Sequence, residues 1–307
     1  MIEIINGQFY INNMPANPGD NLKRGKLLGV CTDLSNFRDN KNINNFTDNL
    51  KYLRNADIIS AAFQSPSPFR EYYKKAREQD KSELKNNSGS AINPDGSLDY
   101  DLLADLELII KTADSFGYAV LVSILDSSCE HIFNDEFSII TGIFNAADWL
   151  ASKNFGNILV NLANISHTFY KSSVLNGEKF INIFKSVKEH AGGRLILGAG
   201  IKNFAGVSAA GLHNYIKSSD FIPIYSVNYK KHSTKKMLEN IYFFKSRTNA
   251  PVIMAKGDDL SAEYNSYGKN NMLEAFENNI SWCYYNLEKL GIMPVDWAFL
   301  RDLNYSI

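Results

Sequence analysis

Apolar residues recur along this chain in two alternating rhythms. Short runs that are apolar on both faces, at 27–33, 58–63, 119–125, 158–164, 195–199, 221–226, 252–255 and 280–285, read as buried strands. Between them lie stretches with helical periodicity, at 44–53, 100–116, 137–153, 179–190 and 234–247. In the second of these, Leu102, Leu103, Leu106, Ile109 and Ile110 fall at helical spacing on an apolar stripe. Strands that are apolar on both faces and alternate with helices predict a parallel sheet covered by helices. Eight such units predict an α/β fold, a (β/α)8 TIM barrel.

Two segments fall outside this rhythm. Asn6-Gly7 sits between the β-formers Ile4-Ile5 and Phe9-Tyr10-Ile11, a strong hairpin signal. Residues 1–25 therefore read as an N-terminal hairpin and lead-in packed outside the main fold. Residues 81–99 are polar and rich in Asn, Ser and Gly, which predicts a long loop with Asn93-Pro94-Asp95-Gly96 as a turn. No linker or internal repeat divides the chain, so residues 1–307 are expected to form one barrel domain.

Composition narrows the chemistry. The chain is 45% hydrophobic, enough for a large core, and its net charge of -1 gives no electrostatic footprint for nucleic acid or an anionic membrane. No apolar run reaches the length of a membrane span. The segment 1–7 lacks a basic region followed by an apolar one, so no signal peptide is expected and a cytoplasmic location is. Cys31, Cys129 and Cys283 form no CxxC pair and read as buried free thiols. Asp126, His131 and His167 lack zinc-helix spacing, no GxSxG occurs, and Gly198-Ala199-Gly200 is only half a dinucleotide fingerprint. No metal or cofactor is predicted.

Several short patterns follow one another in a telling order. They are Gln64-Ser65-Pro66 after the second strand, Asp95-Gly96-Ser97-Leu98, Ala113-Asp114-Ser115-Phe116-Gly117 before the third, and Ala147-Asp148-Trp149-Leu150 before the fourth. Ser219-Asp220-Phe221-Ile222 opens the sixth, Ser281-Trp282 lies on the eighth, and Pro294-Val295-Asp296-Trp297 lies near the end. In this order the chain resembles bacterial glycoside hydrolase-like proteins of the retaining, cellulase- and mannanase-like barrel clan. The resemblance implies a proton-donor glutamate at the end of the fourth strand and a nucleophilic glutamate at the end of the seventh. Here the fourth strand ends Asn161-Leu162-Ala163-Asn164-Ile165 and the seventh runs Ala255-Lys256-Gly257-Asp258-Asp259, so Ile165 and Lys256 occupy the two positions. The third and sixth strand ends, at Asp126-Ser127-Ser128-Cys129 and Tyr225-Ser226-Val227-Asn228, depart from the family pattern as well.

Retaining hydrolysis needs two carboxyl groups about 5–5.5 Å apart, one to protonate the leaving oxygen and one to attack the anomeric carbon. Isoleucine has no proton to give, and a lysine near its reference pKa of about 10.4 is a cation. A cation opposes an oxocarbenium-like transition state. At about 4 Å and an effective dielectric of about 20, turning attraction into repulsion swings the barrier by about 8 kcal/mol, or about six decades in rate. The expected protein is thus a pseudo-glycosidase that binds a carbohydrate or serves as a scaffold. Gln64, Asn161, Asn164, Tyr225, Asn228, Asp258, Asp259 and Trp282 are its candidate groove residues. Trp282 reads equally as a sugar-stacking ring or a core residue. Two alternatives stay open: a carbohydrate-active enzyme using relocated carboxylates (Asp33, Glu130, Asp258, Asp259), and an oligomeric structural protein. Expected partners are an oligo- or polysaccharide, another protein or a second copy of the chain.

Overall fold

Eight parallel strands close on themselves with helices between them, as the alternating pattern predicts. The computed structural model describes residues 1–31, 40–53, 56–64, 90–126, 130–165, 172–175, 177–201, 209–225, 242, 245–246, 248–256 and 272–284. An antiparallel sheet comes first, formed by β1 (Ile2–Ile5), β2 (Gln8–Ile11) and β3 (Met14–Pro15). The barrel strands are β4 (Leu28–Val30), β5 (Ile58–Ala62), β6 (Ala119–Leu125), β7 (Ile158–Ile165), β8 (Leu197–Ile201), β9 (Ile222–Tyr225), β10 (Val252–Lys256) and β11 (Ile280–Tyr284). They pair in the closed order β10-β11-β4-β5-β6-β7-β8-β9. The helices described in full are α1 (Asn40–Leu50), α2 (Tyr100–Ser115), α3 (Glu136–Lys153), α4 (Gly177–Ala191) and α5 (Ala209–Ser218). Most of the helix expected at 234–247 lies outside the described residues, although Tyr242 and Lys245 are helical.

The period of two along each strand sorts side chains into two buried layers. On β6, Val120, Val122 and Ile124 pack outward with Leu103, Leu106, Ile109 and Ile110 of α2. Ala119 and Leu121 turn into the lumen, where they meet Leu27, Ile58, Leu159, Phe221 and Ile253. Each such Leu, Ile or Phe stabilises by about 1.5–3 kcal/mol through burial. The helix ends are written locally. Asp99 caps α2 by accepting from the Asp101 and Leu102 amides, and Asp135 caps α3 by accepting from Ser138 N at 2.7 Å. Asn154 closes α3 in the left-handed region at φ 51°.

The N-terminal segment differs from expectation. The Asn6-Gly7 turn is present, with φ of 51° and 75°, but a third strand joins the hairpin. The resulting sheet does not sit outside the fold. Ile2, Phe9 and Ala16 enter the lumen cluster, and Ile2 N donates to Gly156 O at 2.6 Å, just before β7 begins. A barrel lumen this apolar would meet water at its lower end, and the sheet covers it. Local pattern signalled the turn, but only the barrel supplied the surface for it to cover.

Asp57, immediately before β5, stitches the same end. One carboxylate oxygen accepts from Leu28 N at 2.8 Å and from Asn17 Nδ2 at 2.6 Å. Burial raises its pKa above the usual carboxylate value, against the lowering effect of these two bonds and of Lys23. The unfolded chain therefore ionises first as pH rises. Stability from this group is full below the unfolded carboxyl pKa of about 3.9 and is lost as pH climbs through the folded value. Asp57→Asn, which keeps an acceptor oxygen and cannot ionise, is expected to flatten that decline. The check is the urea midpoint of both proteins across the acidic range, and parallel curves would contradict it.

Candidate functional site

In a parallel barrel every strand ends at the same rim, and that rim carries the variable loops. β7 terminates at Ile165 and β10 at Lys256, so the two positions singled out in the sequence share this end, separated by β8 and β9. Both strands are irregular there. Asn161 pairs with Gly198 but Asn164 with Gly200, which puts one extra residue into β7. Met254 pairs with Ile224 but Lys256 with Tyr225, which does the same to β10. Among the described barrel pairings, register shifts occur only at these two places. A bulge re-aims the residues beyond it and is over-represented at barrel rims and beside active sites.

Below the rim lies a polar layer in an otherwise apolar lumen. Asn161 is 0% exposed; its Oδ1 accepts from Gly200 N at 2.6 Å, and its Nδ2 donates to Ser123 Oγ at 3.2 Å and to Tyr225 Oη at 3.0 Å. Ser123 Oγ and Tyr225 Oη are themselves 3.0 Å apart. On β5, Ser60 Oγ donates to Cys31 Sγ at 3.2 Å. Cys283 also lies in the lumen cluster, and burial pushes its thiol pKa well up. Both cysteines are buried thiols outside any disulfide, as the sequence predicts; Cys129 lies outside the described residues.

Gln64 completes the described polar set. The alternation that directs Ile58 and Ser60 inward continues to Gln64, which bridges to Ser90 just past β5. Gln64 is 1% exposed, and among the described residues neither its Nε2 nor its Oε1 has a hydrogen-bond partner. A buried primary amide left unmatched is costly, at about 1–3 kcal/mol per group.

Asn161 and Tyr225 are brought into direct contact, and Gln64 shares their end of the barrel. Asn164 lies in β7. Asp33, Asn228, Asp258 and Asp259 fall outside the described residues. Glu130, one of the relocated-carboxylate candidates, accepts from the backbone N–H of Ser172 and so ties down the turn at Ser173–Leu175. Trp282 requires a correction. It is 0% exposed and packs in the strand–helix layer, paired with Leu28, while its neighbour Cys283 takes the lumen side. It is therefore a core residue and presents no ring face to a ligand. Ser123 was missed by sequence reasoning. Its signal was a lone hydroxyl at a lumen position of the apolar run Ala119–Leu125.

The folded shape is shared with sugar-cleaving enzymes. The glycoside hydrolase family 5 mannosidase from Rhizomucor miehei superposes with a TM-score of 0.61 at 9% identity, covering 100% of this chain and 97% of that one. The endo-1,4-β-D-mannanase from Thermotoga petrophila gives 0.55 at 9% identity, covering 92% and 100%. The β-1,4-D-mannanase from Cryptopygus antarcticus gives 0.54 at 10% identity, covering 99% and 94%. No family model matches the chain, and no curated protein matches it in sequence. At this identity the likeness establishes the fold, a (β/α)8 barrel, and nothing finer.

Proposed function

We propose that this protein is a catalytically silent glycosidase-like barrel that holds a β-1,4-linked hexose chain at its strand-end rim without cleaving it. One observation carries the reading. The two strands with a bulge at the rim end in isoleucine and lysine, and these are the positions at which the sequence resemblance implies a carboxylic acid and a carboxylate. Neither residue can form a glycosyl ester, and isoleucine has no proton to give a leaving oxygen. The relocated-carboxylate alternative is weakened by Glu130, whose carboxylate is engaged with the backbone of Ser172.

Binding is supported by the unmatched amide of Gln64, since a primary amide donates and accepts at once, as a sugar hydroxyl does. The names of the mannosidase and mannanases, and a further solved neighbour in complex with a cellotriose (TM-score 0.54, 10% identity), set the ligand class to test, namely manno- and cello-oligosaccharides. Calorimetric titration with mannotetraose and cellotetraose is expected to give saturable binding to at least one. Gln64→Ala should weaken it by roughly tenfold, equivalent to about 1.4 kcal/mol. Incubated overnight, the bound chain should keep its length by chromatography. Release of shorter sugars, or no binding of either tetrasaccharide by the folded protein, would overturn the proposal.

A further inference from the structure

The opposite end of the barrel holds a cleft of about 450 Å³, lined among others by Gly7, Arg24, Lys26, Lys245, Asn249 and Glu277. Residues 24–26 precede β4, residue 249 precedes β10 and residue 277 precedes β11, so the cleft opens at the N-terminal ends of three adjacent strands. The N-terminal hairpin forms one wall, and Gly7 lies against the Asn249 carbonyl, where a Cβ would come to 2.4 Å. The cleft is far in topology from the rim that carries Ile165 and Lys256, and nothing in the preceding proposal uses it.

Its charge is unbalanced. Among the described residues, three cations line it and a single carboxylate, that of Glu277. Among the described residues, Arg24, Lys26 and Lys245 form no ion pair; the nearest in sequence joins Lys23 to Asp20 at 3.4 Å. The ammonium groups are held by backbone carbonyls instead: Lys26 Nζ donates to Leu22 O at 2.5 Å, and Lys245 Nζ to Asn278 O and, at 2.6 Å, to Asn279 O. Lys26 is 8% exposed. Burial, followed by the charge of Lys26, pushes Lys245 down to about 8. Backbone carbonyls occupy these two ammonium groups only in part, and they leave unexplained why Arg24 borders the same cleft as well, since like charges brought close together repel.

We propose that this cleft binds a phosphate group, with Lys26, Lys245 and Arg24 supplying charge-assisted donors. A compact oxyanion there would neutralise the repulsion and accept the hydrogen bonds the two ammonium groups have left. The space exceeds what one phosphate fills, so both orthophosphate and a phosphate monoester fit the shared chemistry.

The test is calorimetric and thermal-shift titration of the full chain with sodium phosphate and with glucose 1-phosphate, at pH 7 and fixed ionic strength set with chloride. Saturable binding is expected, with a rise in the unfolding midpoint. Arg24→Ala, at an exposed side chain, should weaken it fivefold or more, and Lys245→Met should abolish it. A tenfold preference for the ester assigns the site to a phosphorylated small molecule, whereas equal affinity assigns it to free phosphate. Absence of saturable binding by either probe, or unchanged affinity in folded Arg24→Ala, overturns the proposal.

Discussion

Trp282→Ala is expected to lower the unfolding free energy by about 3–5 kcal/mol, the range for truncating a large aromatic in a packed core. The ring is 0% exposed and pairs across β11 and β4 with Leu28, inside the layer that binds the barrel to its helices. Its Nε1 has no hydrogen-bond partner among the described residues, which sets up a second comparison. Trp282→Phe gives up ring area but also removes a buried, unmatched donor, so its cost should stay below about 1.5 kcal/mol. Urea denaturation of the three proteins, with m-values compared, measures both. If Trp282→Ala cost under 1 kcal/mol, the side chain would not be in the packed layer. Oligosaccharide affinity should be unchanged in Trp282→Phe, because the ring faces away from the lumen.

Removing the Asn161 side chain is expected to cost about 3 kcal/mol. Its carbonyl and amide serve Gly200, Ser123 and Tyr225 together in a site without water access, and truncation strands those groups. Tyr225→Phe should cost about 1 kcal/mol, since Asn161 keeps its bonds to Ser123 and Gly200. The two changes act on one network, so the double variant should fall short of the sum by at least about 0.5 kcal/mol. Strict additivity in a double-mutant cycle would show that the trio is not coupled. A network of this kind fixes the relative heights of β6, β7, β8 and β9 below the rim. Its loss is therefore also expected to weaken any ligand that the rim holds.

The strands could be read from the sequence because a strand buried on both faces must be apolar throughout, and eight short apolar runs leave few alternatives to a barrel. The expected ends at 119–125 and the observed Ala119–Leu125 coincide, because the boundaries there carry Gly117 on one side and Asp126 on the other. Helix 100–116 was equally open to reading, capped by Asp99. The site was read less completely. Asn161 and Tyr225 stand at positions that can be guessed once the strands are placed. Their hydrogen bond, and the part Ser123 plays in it, depend on the stagger between strands, which no local pattern encodes.

What the sequence determined by itself is the order and type of the elements, the Asn6-Gly7 turn, and the fact that the fourth and seventh barrel strands end in Ile165 and Lys256. These follow from side-chain chemistry at short range. Tertiary structure alone decided that Trp282 faces the helices, that one extra residue bulges into β7 and into β10, and that the first sheet plugs the lumen. It alone brought Lys26 and Lys245 to one cleft. The physical reason is common to all of these. Which face a strand residue takes, and which distant residue it meets, is set by register against neighbouring strands, and register exists only once the barrel has closed.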